Sequence, residues 1–459
     1  MTGVLTVKTD PSFATLYIGD EDTGRTPNST SLDIGDYKIS VKKDGYNDWH
    51  KDITILEQKS TLIYPWMVLK DIKSNNLWTN KSKLVKYWIN TEYDTFLFLL
   101  QVAENKYSLW SYRVNTSLWD FNTNPVEILE LTTKDIEIKQ SNKGNLILLT
   151  QTIDKKKSSY ILDSTKKNEL KSTPVFNTDG YEKHTITWAN DNRHLILEST
   201  NELLSYDTVR QNMNILAKKT KGNTYIWTTD EQGFFYIIKQ LSETDQSIIY
   251  SLVQSKIDGS SPKEIIEKIY MRKEAKYVEY YRENGYTLTP FTNSQESTQT
   301  AGKIISILVD QNAKGVFIQT EYASYWYYID SQKYIIAYPY PAKLISLAPD
   351  LRKALLSENN KVLLFTFDKD DADHTEIIGT EEIQNIPDAK SIRWVSNSLN
   401  IYFTRENSLY TADKDGGNEY KIYDIGSKKL STIRSSRDHI VSLEETTAGE
   451  VVINEYRIH

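Results

Sequence analysis

The predicted fold class is all-β, in two parts: a small N-terminal β-sandwich over residues 1–65 and a β-propeller over residues 66–459, with seven or eight blades and eight favoured. Three observations predict it. The first 65 residues break into short β-rich segments separated by glycine-bearing turns. Beyond them a strand–turn–strand–turn–strand unit recurs eight times. The longest apolar stretch, Thr95 to Leu100, has only the length of a strand.

In the N-terminal part, residues 4–8, 14–18, 37–42 and 51–56 alternate or are β-rich. Gly19-Asp20, Thr23-Gly24, Ile34-Gly35-Asp36 and Lys43-Asp44-Gly45 supply the turns. About 60 residues is near the lower limit for a self-sufficient core. Met1 to Lys8 already alternates like a strand, so the chain starts as a truncated or processed form would. The joint is placed at Tyr64-Pro65-Trp66, with few contacts expected from residues 1–65 to the rest.

The eight repeat copies open near Tyr87, Ile138, Thr187, Ile226, Ile307, Ser346, Arg393 and Thr432. Each leads through a turn to an apolar strand, such as Phe96-Leu97-Phe98-Leu99 or Leu195-Ile196-Leu197. A third strand follows, as in Leu203-Leu204-Ser205-Tyr206-Asp207 or Ser408-Leu409-Tyr410-Thr411-Ala412-Asp413. Eight copies leave roughly 49 residues each, a propeller-like period. Trp88, Trp188, Trp227 and Trp394 are expected at equivalent, buried positions. Between Ile226 and Ile307 the spacing doubles. There, Glu264 to Lys273 reads either as a short helix before a long loop or as a degenerate blade strand. The last copy shows three strands before the chain stops. Part of residues 66–80 is therefore expected to pair with the blade containing Val451-Val452-Ile453-Asn454, sparing it an open edge. This clasp would hold the ring near a membrane if an anchor preceded Met1.

Asp10-Pro11-Ser12-Phe13-Ala14, Tyr17-Ile18-Gly19, Gly24-Arg25-Thr26-Pro27, Gly35-Asp36-Tyr37-Lys38-Ile39-Ser40-Val41 and Gly45-Tyr46 together resemble a PEGA domain. Ser12 and Phe13 stand where that family has Glu and Gly. The later repeats resemble TolB-like and WD-repeat-like propellers, with Trp188, Trp227 and Trp394 at the Trp position and Ala348-Pro349-Asp350 keeping Pro-Asp. The order of the two parts resembles envelope proteins of small-genome bacteria. That resemblance implies an extracytoplasmic, membrane-anchored protein.

Composition narrows the chemistry. Cysteine is absent, which removes disulfides, thiolate metal sites and Cys nucleophiles. The net charge of −7 argues against nucleic acid as the partner. Fifty-three aromatic residues (31 Tyr, 10 Trp, 12 Phe) supply core area that a hydrophobic content of 39% otherwise leaves short. No apolar run reaches bilayer length, so contact with a membrane would need an anchor outside this chain.

No His-x-x-x-His, Gly-x-Ser-x-Gly, phosphate-loop or dinucleotide motif occurs. His184 and His194 straddle one hairpin as polar hairpin residues. The one candidate metal set is Asp368, Asp370, Asp373 and Glu376, whose hard oxygens suit Ca²⁺; no other cofactor is expected. Asp413-Lys414-Asp415-Gly416-Gly417 reads as a plain hairpin turn. The candidate binding residues are Tyr325, Trp326, Tyr328, Tyr338 and Tyr340, in a dense aromatic run divided between core and surface. The expected function is a non-catalytic interaction module displayed at the bacterial envelope, with the propeller face binding a protein or a glycan. Two alternatives stand beside it: a propeller glycosidase or lyase with paired channel carboxylates, and a surface-layer component.

Overall fold

The structure is a computed structural model that describes residues 1–90, 95–113, 124–141, 144–168, 184–218, 226–274, 291–292, 302–310, 314–331, 333–368, 378–383, 386, 388–395, 397–424, 431–432 and 439–458. Strands are the only regular elements longer than a turn among these residues.

The N-terminal domain has seven strands: β1 (Thr2–Val7), β2 (Thr15–Ile18), β3 (Glu21–Arg25), β4 (Asn28–Asp33), β5 (Gly35–Lys42), β6 (Trp49–Ile55) and β7 (Ser60–Ile63). They form two sheets, ordered β4-β1-β7 and β3-β2-β5-β6. Alternation sends Leu5, Val7, Leu16, Ile39, Val41 and Trp49 into a shared core. Four of these strands coincide with the β-rich segments of the sequence. β3 and β4 do not, because Glu21–Arg25 and Asn28–Asp33 are nearly all polar and half or more exposed, and β7 falls in the strand-like stretch that begins at Thr61. Phe13 has φ +64°, a left-handed backbone that favours Gly, and its ring is 66% exposed.

After the domain, eight antiparallel sheets follow among the described residues, and each of the eight repeat starts lies in a strand of a different one. Such a series of up-and-down sheets is the architecture of a β-propeller. Sheet hairpins share one device. Asp191, Asp230, Asp310 and Asn397 each accept backbone N–H bonds from residues just ahead, at 2.6–3.1 Å, closing the turn between first and second strands.

The chain divides into two compact units. The first comprises residues 1–77, 343–444 and 453–459; the second, residues 78–342 and 445–452. The second unit holds the first five sheets. Its largest core cluster runs from Tyr236 to Ile336. The helical reading of 264–273 is corrected here: Lys263–Arg272 is the fourth strand of its sheet and pairs with Ser247–Lys256. Two register shifts in that pairing break strict alternation and bring Ile266, Ile269 and Met271 inward, a spacing that imitates a helix face.

Trp188 and Trp394 are equivalent: each ends its first strand, faces the second residue of the next strand (Leu195, Ile401) and is buried. Trp227 and Trp88 are shifted along their strands, opposite Ile237 and Leu97, and are half-buried. The expected equivalence of all four is thus corrected to two.

Strand β8 (Ser74–Asn80) is the outer strand of the last sheet, beside Val451–Arg457. The expected pairing of residues 66–80 with the C-terminal copy is present. The stretch between β7 and β8 is not a free linker. Trp66 and Val68 are buried with Tyr402, Leu409, Ile440 and Ile458, and Leu69 N–H bonds Ile458 C=O at 3.0 Å.

Candidate functional site

Residues 1–65 were expected to make few contacts with the rest of the chain, and the first unit corrects this. The edge of β6 meets the hairpin that joins Ser408–Asp413 to Tyr420–Asp424. Trp49 Nε1–H donates to Asp413 Oδ2 at 2.9 Å, and Lys51 Nζ meets Asp415 Oδ2 at 2.6 Å. The Asn418 side chain accepts from His50 N–H and donates to His50 C=O, both at 2.9 Å. Tyr420 O–H donates to the Asp48 carbonyl at 2.6 Å. The turn read as plain from sequence is the joint that holds the N-terminal domain.

Asp413 is at the centre of this joint. Its two oxygens also accept from Asn400 Nδ2 and Asn418 Nδ2, each at 2.8 Å. Burial pushes its carboxyl up to about 6, and the neighbouring Asp415 charge adds to the rise. The hydrogen bonds from Asn418 and Trp49 and the Lys51 charge act the other way. Burial also works against the charges of Lys51 and Asp415, but their mutual contact outweighs it, raising the one and lowering the other.

Beside the joint lie two adjoining clefts, of about 810 and 580 Å³. They share Tyr64, Asp350, Asn397 and Leu399 as walls and form one groove. β6 and β7 line one side. The other side is Lys353, Thr366, residues 379–381 and the turns at Asn397 and Lys414. Lys353 is only 3% exposed and is held 3.6 Å from Asp350. The volume of each cleft lies within the range of small-molecule clefts, and its lining is mixed polar and apolar.

The candidate residues read from sequence lie elsewhere. Tyr325 and Trp326 are 1% exposed; Tyr325 belongs to a core cluster, and Trp326 crosses Gly315 so closely that a Cβ there would lie 2.1 Å from its ring. Their ring faces are therefore packed against protein, because period-2 alternation in a strand covered on both faces buries every residue. Tyr328, Tyr338 and Tyr340 are half-buried, with the last two rings 5.4 Å apart. Asp368 donates its backbone N–H to Arg352 C=O at 3.2 Å, while Asp370, Asp373 and Glu376 lie outside the described residues. Among the described residues no cluster of three His, Asp or Glu is placed to hold a metal. His194 sits between Asp191 and Asp207, and His184 lies 3.8 Å from Glu202.

Residues 2–65 match the PEGA domain family, and this segment is a PEGA domain. The rest is a β-propeller chain. No curated protein matches the sequence. Among solved structures, the WD40 domain of SCAP from fission yeast is similar at 11% identity over 84% of this chain and 98% of that one, with a TM-score of 0.42. The Cps50 (Swd1) β-propeller domain from Myceliophteria thermophila is 10% identical over 71% and 96%, with a TM-score of 0.36. TolB from Acinetobacter baumannii is 12% identical over 60% and 61%, with a TM-score of 0.31. No helix among the described residues is long and apolar enough to cross a membrane.

Proposed function

We propose that this chain is an extracytoplasmic, non-enzymatic binding module that takes a protein partner in the groove between its PEGA domain and the sixth and seventh sheets. The observation that carries this reading is the groove itself: about 810 Å³ in its larger cleft, with its walls fixed to each other by the Trp49–Asp413 joint. A fixed site loses little freedom on binding. A protein is favoured over a glycan because Tyr325 and Trp326, the densest aromatic candidates, bury the ring faces that a sugar would stack on. A PEGA domain standing before a propeller supports the extracytoplasmic setting.

The test is photo-crosslinking in cells that produce the chain natively. A benzophenone amino acid replaces Tyr64, which lines both clefts and is 40% exposed, or Val209, which is 73% exposed in the other unit. The expected result is a light-dependent protein adduct from position 64 and none from 209. Adducts from 209 alone, from neither position, or with glycan only would overturn the reading.

A further inference from the structure

Consecutive side chains of a strand point to opposite faces, so a strand that shows a groove its face contributes every second residue. β6 contributes residues 51–54 without a gap, and β7 contributes 61–63 followed by Tyr64. Both strands therefore meet the groove edge-on. Both are also terminal strands of their sheets. Edge strands present unpaired backbone groups that template pairing with another chain.

On β6 the direction of those groups is fixed by observation. His50 N–H and C=O point away from β5, because both bond to the Asn418 side chain. Backbone groups of alternate residues share a direction in an antiparallel strand, so those of Asp52 and Thr54 point the same way. The Asn418 amide thus supplies one residue's worth of strand pairing, and the edge runs on past it into the groove. The groove's charge selects the occupant. The lining of its larger cleft holds five carboxylates (Asp52, Asp350, Glu381, Asp413 and Asp415) against three lysines (Lys51, Lys353 and Lys414), and the smaller cleft adds one of each, Asp10 and Lys8. Lys51 and Lys353 face Asp415 and Asp350, which leaves the acidic excess with exposed Asp52 and Glu381 beside the open edge.

We infer that the groove captures an extended, basic segment of a partner protein by strand addition to Asp52–Thr54 of β6. This rests on the binding reading above and specifies its mode. Main-chain bonds would give affinity, and the acidic walls would choose lysine- or arginine-bearing segments.

The probe is a capped peptide alternating Lys and Val, with two counterparts: one with Glu for Lys, and one N-methylated at every second residue along one edge. Binding is read by fluorescence anisotropy on the full chain. The Lys peptide is expected to bind at least about tenfold more tightly than either counterpart. Thr54→Pro removes one outward N–H, which costs the β5–β6 ladder nothing, and is expected to weaken binding by about tenfold or more. Asp52→Lys with Glu381→Lys is expected to move the preference toward the Glu peptide. If Thr54→Pro fails to fold, the N-methylated peptide on the unaltered protein decides alone. Equal affinity for the parent and N-methylated peptides, or no binding of the Lys peptide, overturns strand addition. In those cases a protein adduct at position 64 would still leave the groove as a binding site; without one, both readings fall.

Discussion

Phe13 holds a backbone conformation that suits glycine, and its ring gains little from packing because it is mostly exposed. A left-handed non-Gly residue costs roughly 1–2 kcal/mol, from which the extra freedom of unfolded Gly removes about 0.5–1 kcal/mol. Phe13→Gly is therefore expected to stabilise the N-terminal domain by roughly 0.5–1 kcal/mol, read as a rise in its denaturant midpoint. An unchanged or lower midpoint would mean that the ring makes contacts that offset the strain. The residue that matters most to the joint, Asp413, was not legible in the same way. Its own neighbours spell a hairpin, which the structure has. Its partner Trp49 is 364 positions away, and no local pattern marks a contact of that separation. The titration of Asp413 has a definite sign. Its folded pKa is raised above the unfolded value, so its contribution to stability is full below the unfolded pKa near 3.8 and is lost as pH rises through about 6. The stability of the wild-type chain relative to Asp413→Asn is expected to fall by up to about 3 kcal/mol between pH 4 and pH 7. Parallel stability curves for the two proteins would show that Asp413 does not titrate in this range.

At the level of elements, the repeats were legible because each first strand is followed by a polar turn and an apolar run. The turns close by a mechanism that sequence alone displays, an Asp or Asn three or four residues before the next strand. Two kinds of strand escaped. The polar β3 and β4 carry no apolar alternation, and Lys263–Arg272 has bulges that displace its apolar residues into a helix-like spacing. The tryptophans separate by the same logic of register. Trp188 and Trp394 fill equivalent buried sites, so either change to Ala is expected to cost roughly 3–5 kcal/mol. The half-buried Trp88 and Trp227 should cost about half as much. Equilibrium unfolding of the four variants checks this, and equal losses at all four would return them to a single equivalent position.

On the scale of the whole molecule, the order of parts could be read from the segments and repeats, and the pairing of part of residues 66–80 with the last sheet from edge-strand physics, before any coordinate. The groove could not. Its walls come from β6, β7 and strands some 300 residues later, and neither the acidic residues nor the turns that build it form a motif along the chain. The groove exists only if the PEGA domain is fixed against the seventh sheet by the polar joint. Because the chain has no cysteine, a Lys51→Cys, Asp415→Cys pair would be the only thiols present. Treated with a short bismaleimide at high dilution, this variant is expected to form an intramolecular bridge rapidly and almost completely, seen as one added linker mass on a monomer. Single additions at each cysteine without a bridge, or bridges only between molecules, would contradict the joint and with it the groove.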